Sequence, residues 1–304
     1  MADQKTNTLS LFPGFREEMI NVSGGDVRAV IGGKGPPLLM LHGHPQTLAM
    51  WHKIAGGLAQ HFTLVLTDLR GYGKSWKPES TADHTPYTKR ESAREQVAVM
   101  ERLGFTRFGV VSHDRGARVA HRMALDWPDR LTRLTLIDIV PTATMYANVT
   151  REFATTLYHW FLTIQPYPFP ERLIGGCRDV YLDAILFGLS SHAHPFNEQA
   201  LAEYRACYTD ASIHAMCEDY RAGATTDLAL DASDRESRIA CPTQVIWGKH
   251  SPAGRFFEPL AVWRDKALDV TGRELACGHF VPEEMPEEVL AELMQFHGGA
   301  AQRR

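Results

Sequence analysis

Ser112-His113-Asp114-Arg115-Gly116-Ala117-Arg118 stands between an apolar run, Phe108-Gly109-Val110-Val111, and a helix-forming segment, Val119 to Leu125. A strand, one apex residue with small residues two positions to either side, and then a helix together spell a sharp turn that pushes the apex side chain forward. The small residues here are Ser112 and Gly116, which let the backbone bend. The apex is Asp114, neither serine nor cysteine.

On either side, strand and helix alternate. Upstream, Met19–Val22, Val27–Ile31, Pro37–Leu41 and Phe62–Thr67 read as strands; the continuous apolar run Pro37–Leu41 suits a parallel strand buried on both faces. Trp51–His61 and Lys89–Leu103 read as helices, the second closed by Gly104. Downstream, the turn helix runs to about Trp127 and a strand over Leu131–Ile139 follows. From Thr142 to Arg235 the pattern is helical, broken by Pro166, Pro168, Pro170 and Pro195. Strands resume at Gln244–Trp247 and Val270–Leu275, with helices at Pro259–Lys266 and Pro286–His297, and Gly298–Arg304 is expected to fray. The expected class is α/β: a mostly parallel, doubly wound sheet in two parts, residues 1–141 and 236–304. A helical cap over 142–235 is inserted between them.

With 304 residues, 44% of them hydrophobic and 22% charged, the chain can bury a large core. A net charge of -4 and a pI near 6.4 leave no electrostatic footprint for nucleic acid. The five cysteines, Cys177, Cys207, Cys217, Cys241 and Cys277, show no CxxC spacing. They read as buried thiols of a reducing compartment, not a disulfide frame or a zinc site. Met1–Asn7 lacks the apolar core of a signal peptide, and no apolar run approaches the roughly 18 residues of a membrane span. The expectation is a soluble cytoplasmic protein without nucleic-acid or membrane partners.

An ionised carboxylate at the apex needs no activating base. Its natural chemistry is attack on an sp³ carbon with loss of a leaving group, giving an alkyl ester on the enzyme. Hydrolysing that ester takes a water and a general base. His279, in the loop Gly278-His279-Phe280 after the last strand, is the candidate base. A third group should hold its other ring nitrogen. The loop after Gln244–Trp247, Gly248-Lys249-His250-Ser251-Pro252, holds no carboxylate, so Asp138 at the end of the preceding strand is the expected partner. The loop His42-Gly43-His44-Pro45 is placed to supply an oxyanion site, with the backbone N–H groups of His44 and Arg115 facing the apex. His42 itself is expected only to order that loop. Arg115 and Arg118, three apart at the start of a helix, point to one side. Paired guanidiniums suit a substrate carboxylate and would hold Asp114 ionised; the bland alternative is arginine salt-bridged to the cap.

These residues resemble the fluoroacetate (haloacetate) dehalogenases of the α/β-hydrolase superfamily. The matching pieces are His42-Gly43-x-Pro45-Gln46-Thr47, His113 to Arg118, Tyr158-His159-Trp160, Cys217 to Gly223 and Gly278-His279-Phe280-x-Pro282-Glu283-Glu284. The resemblance implies the α/β-hydrolase fold, with Asp114 as nucleophile, His279 as base, Asp138 as its partner, and Arg115 and Arg118 on the carboxylate. It also implies a halide pocket of His159, Trp160 and Tyr220, residues that would otherwise read as cap-core side chains. It implies no metal or cofactor, a small haloacid as substrate, and a homodimer. One departure is His44, where the resemblance would place Phe; it implies a changed pocket polarity. The reaction implied is haloacetate plus water to glycolate plus halide.

Two other readings share these residues. An epoxide hydrolase would use the same aspartate with lid tyrosines, of which Tyr158, Tyr167, Tyr181, Tyr204, Tyr208 and Tyr220 are candidates. Such enzymes usually carry Trp after the apex aspartate, where this chain has Arg115. A binding protein on an inactive core would not need nucleophile, base and acid together.

Overall fold

The computed structural model describes residues 8–22 and 24–298. Met1–Asn7 and residues 299–304 of the expected frayed tail lie outside it, while Gly298 closes the last helix. Eight strands form one sheet: β1 (Arg16–Val22), β2 (Gly25–Gly33), β3 (Pro37–Leu41), β4 (Thr63–Thr67), β5 (Phe108–His113), β6 (Leu131–Ile137), β7 (Thr243–Gly248) and β8 (Val270–Leu275). Their order is β1-β2-β4-β3-β5-β6-β7-β8. The β1/β2 and β2/β4 pairs are antiparallel, and every later pair is parallel. The reversal between β4, β3 and β5 creates a crevice at the carboxyl ends of the central strands, where open α/β sheets bind ligands.

Helices α1 (His52–Leu58), α2 (Lys89–Arg102) and α3 (Asp114–Asp126) connect the first strands. Between β6 and β7 the described chain is helical and irregular. It holds α4 (Thr142–Ala147), α5 (Arg151–Thr156), α6 (Tyr158–Thr163), α7 (Phe169–Gly176), α8 (Arg178–Leu189), α9 (Glu198–Cys207), α10 (Asp210–Ala224) and α11 (Thr226–Ser233). The second part adds α12 (Pro252–Phe256), α13 (Pro259–Arg264), α14 (Val281–Glu284) and α15 (Pro286–Gly298). Every residue of β5 is buried, as expected of a central strand covered on both faces.

Polar struts fasten the helices between β6 and β7 to the sheet. The buried Arg28 guanidinium on β2 reaches Glu203 of α9 at 2.5 Å and Asp68 after β4 at 3.3 Å. Tyr204 of α9 donates to Glu283 at 3.0 Å, and Gln46 donates to the same carboxyl at 2.9 Å. Of the five cysteines, Cys207, Cys217, Cys241 and Cys277 are buried, but Cys177 is exposed. Cys177 caps α8 on the outer face, so the expectation of uniformly buried thiols fails there. No helix of the described residues is long and apolar enough to cross a membrane.

Candidate active site

Asp114 sits where β5 breaks into α3, with φ of +46°. Positive φ is uncommon for a residue with a Cβ and persists only where the surroundings enforce it. The enforcing contact is at Gly116: a Cβ there would lie 2.3 Å from the His42 carbonyl oxygen and 2.6 Å from that of Leu41. The Gly116 N–H also donates to His42 O at 3.0 Å. So α3 starts hard against the end of β3, and the bend throws the Asp114 carboxylate into the crevice. Asp138, just past β6, also has a left-handed backbone, with φ of +55°.

The His42 loop approaches from β3. His44 N–H donates to Asp114 Oδ1 at 2.8 Å. Among the described residues the Arg115 N–H, the other expected oxyanion donor, makes no hydrogen bond to that carboxylate. His42 receives the Leu69 N–H on Nε2 at 3.0 Å and donates from Nδ1 to Gly43 O at 2.9 Å, which orders the loop. Asp68 adds a second brace by accepting from Leu48 N–H at 2.8 Å.

His279 comes from the loop after β8. Its Nδ1 meets Asp138 Oδ2 at 2.6 Å, and its Nε2 lies 3.9 Å from Asp114 Oδ2. The other Asp138 oxygen accepts from Gly248 N–H at 2.9 Å and from the Ser251 hydroxyl at 2.6 Å. The loop after β7, which lacks a carboxylate, thus supplies the donors that fix Asp138. Glu284 steadies the histidine loop by accepting from Gly278 N–H at 2.9 Å and Phe280 N–H at 3.0 Å. Ser251 and Glu284 have no identified role in the sequence reading; their signal is tertiary.

Burial opposes charge on both Asp114 and His279, and the partners reverse that effect. Burial favours the neutral acid at Asp114, yet His279, Arg115 and Arg118 hold the carboxyl far below its ordinary range. Burial favours neutral imidazole at His279, yet Asp138 and then Asp114 raise its pKa above the usual value. Esterification of Asp114 would erase one of those negative charges and bring the imidazole's pKa down, so more of it is neutral when its water is needed.

The two arginines are both buried but differ in surroundings. Arg115 is fixed by Asp219 of α10: Nε donates to Oδ2 at 2.6 Å and Nη2 to the Asp219 carbonyl at 2.8 Å. Its guanidinium carbon lies 4.1 Å from the centre of the Tyr220 ring. It is salt-bridged to the inserted helices and does not line the cavity above Asp114. Arg118 does line it, and among the described residues its hydrogen bonds go only to neutral groups: Val140 O at 3.1 Å, Thr142 Oγ1 at 2.8 Å and Met145 Sδ at 3.0 Å. Its Nε is buried without a partner. Burial and the neighbouring Arg115 charge bring its pKa down to about 10.

The cavity is small, with room for a ligand of a few heavy atoms. Its polar walls are Asp114, Arg118, Asp138, His159, Trp160 and His279, and the apolar part comes from Ile139 and Val140 after β6, Met145, Leu157 and Leu189 of the inserted segment, and Pro252 and Ala253 of α12. Tyr220 stands behind this wall, 5.8 Å from Trp160 and 6.0 Å from His159 between ring centres. None of the tyrosines lines the cavity. Elsewhere, Glu171, His214 and Glu218 come close enough to share a cation, but Arg221 already donates to Glu171 at 2.7 Å and to Glu218 at 2.6 Å.

The family model of the alpha/beta hydrolase fold matches residues 36–284. A fluoroacetate dehalogenase from Burkholderia sp. is 41% identical over 288 residues, covering 94% of this chain and 95% of the relative. A soluble epoxide hydrolase from Corynebacterium sp. is 30% identical over 280 residues, covering 90% and 94%. A crystal structure of a chain from Nostoc sp. PCC 7120, assigned to the α/β hydrolases, is 50% identical with a TM-score of 0.92, covering 93% of this chain and 98% of the other.

Proposed function

The chain belongs to the haloacetate dehalogenase family of the α/β-hydrolase superfamily, and we propose that it is a hydrolytic dehalogenase of short 2-halo carboxylates. In this reading fluoroacetate or another haloacetate enters the cavity with its carboxylate on Arg118. Arg115 adds positive potential from behind while Asp219 holds it. One oxygen of Asp114 attacks the α-carbon, and the halide leaves with the bonding pair toward His159, Trp160 and Tyr220. The product of that step is an ester of Asp114. His279 then takes a proton from water, the water oxygen adds to the ester carbonyl, and the developing oxyanion meets the His44 N–H. Collapse expels the glycolate alkoxide, which takes back the proton held on His279, and Asp114 ionises again to restore the carboxylate. Besides the haloacid, this chemistry consumes one water.

The observation that carries the reading is Arg118: a buried cation with neutral partners and a free Nε, in one small cavity with a nucleophilic carboxylate. Asp114 offsets part of this charge across the cavity, and the unpartnered donor suits a second, incoming anion. An epoxide offers none. The test is halide release from fluoroacetate and chloroacetate in parallel, with Asp114→Asn as control. The reading expects halide from the parent protein and none from the variant. No halide from either acid, with opening of a simple epoxide instead, would move the assignment to epoxide hydrolysis.

A further inference from the structure

His44 contributes its backbone N–H to Asp114, but its side chain is unaccounted for. The imidazole is 2% exposed, and neither Nδ1 nor Nε2 has a hydrogen-bond partner. Burial brings its pKa down to about 3, so the ring is neutral and carries one N–H donor. Buried polar atoms are almost always paired, so two orphans on one ring call for an explanation. The His159 Nδ1 is orphaned as well.

The rings around His44 place it. It lies 6.0 Å from His159 at 25° to it, and 5.6 Å from Tyr220 nearly edge-on. His159 and Tyr220 are 6.0 Å apart, so the three rings form a closed triangle with sides of nearly equal length. Two corners are groups assigned above to the leaving halide. The third is anchored by its own backbone to the nucleophile, 2.8 Å from Asp114 Oδ1. Of the three rings only His159 lines the cavity, so an acceptor that leaves toward His159 moves to the corner of the triangle that His44, with its two unpaired nitrogens, stands beside.

We propose that His44 is a specificity-determining residue whose imidazole N–H donates to the departing halide and favours fluoride over the larger halides. This rests on the dehalogenase reading above. As the Asp114 oxygen–carbon bond forms, the carbon–halogen bond breaks and the halide keeps the electron pair. Of the halides, fluoride concentrates that charge in the smallest volume and is the strongest hydrogen-bond acceptor. A further preorganised donor thus lowers the barrier most where the leaving group is fluoride. The apolar packing of His44 against Tyr72 and Tyr208 keeps water from competing for the N–H.

The test compares kcat/KM for fluoroacetate and chloroacetate in the parent protein, His44→Phe and His44→Gln. Both substitutions leave the backbone N–H on Asp114 in place. His44→Phe keeps a flat ring and removes the donor; fluoroacetate should lose at least tenfold more kcat/KM than chloroacetate. His44→Gln restores an N–H and should recover part of the fluoride preference. Equal losses on both substrates in His44→Phe would reduce the ring to packing and overturn the proposal. So would a parent protein that releases chloride but no fluoride, which leaves the dehalogenase reading intact. No halide from any substrate would overturn both. Should His44→Phe fail to fold, an unchanged substrate ratio in His44→Asn, whose short amide cannot reach as far, would count against the proposal equally.

Discussion

Arg118 and Asp114 face each other across a cavity that admits only a few heavy atoms, so each group's charge sets what the other can accept. A charge-assisted hydrogen bond to a buried guanidinium is worth about 1.5–3 kcal/mol. Arg118→Leu should therefore lower kcat/KM for haloacetates by about 10- to 150-fold. Arg118→Lys should also fall short, because an ammonium cannot present two parallel donors to a carboxylate. Steady-state kinetics check this, and an unchanged KM in Arg118→Leu would place the substrate carboxylate elsewhere. The sign of the pH dependence follows from His279. Asp138 raises its pKa, and a base must be neutral to act, so ester hydrolysis should fall as pH drops through that raised value. The alkylation step uses a carboxylate held ionised well below neutrality, so it should not share this acid limb. Single-turnover halide release measured beside steady-state turnover between pH 5 and 9 separates the two. Parallel pH profiles would contradict the division of labour.

At the scale of elements, two contacts hold the chemistry in place. The first is the start of α3 against the end of β3. Gly116→Ala would push a methyl group into the His42 and Leu41 carbonyls, and overpacking of this kind costs about 1–3 kcal/mol. The second is α10 on α3, through Asp219 and Arg115, with the Lys89 ammonium also paired to Asp219. Asp219→Ala leaves the buried Arg115 guanidinium without its carboxylate, while Lys89 keeps Asp227 at 3.5 Å, and should cost about 3–5 kcal/mol, measurable by urea unfolding. A loss under about 1 kcal/mol would mean the pair is not a structural joint. The strands were legible in the sequence because apolar runs and turn residues are local signals. The apex aspartate was legible for the same reason, being bracketed by small residues two positions away. Asp219 was not, because it lies 104 residues from its arginine and helical periodicity says nothing about which acid meets which base. The same holds for Ser251, 113 residues from the Asp138 it steadies.

Across the whole molecule, the loop after β3, α9 and α14 meet at the Glu283 carboxyl, which accepts from Gln46 and Tyr204. Burial pushes this carboxyl well above the ordinary range. The folded form therefore binds a proton that the unfolded chain releases. That contribution to stability is complete below the unfolded carboxyl pKa and is lost as pH rises toward the folded value. Glu283→Gln should flatten the decline in melting temperature between pH 5 and 9; an identical slope in both proteins would contradict this. Arg115 and Arg118 show where sequence reasoning stops at this scale: their spacing suggests both for the site, but only α10, packed on α3, decides that Arg115 already has its carboxylate. The central claim is that catalysis passes through an ester on Asp114, and trapping it tests that most directly. Intact-mass measurement of His279→Asn after incubation with chloroacetate and fluoroacetate should show the whole chain gaining one carboxymethyl group, mapped to the peptide holding Asp114. An unmodified mass, from a variant that still folds and binds haloacetate, would contradict it.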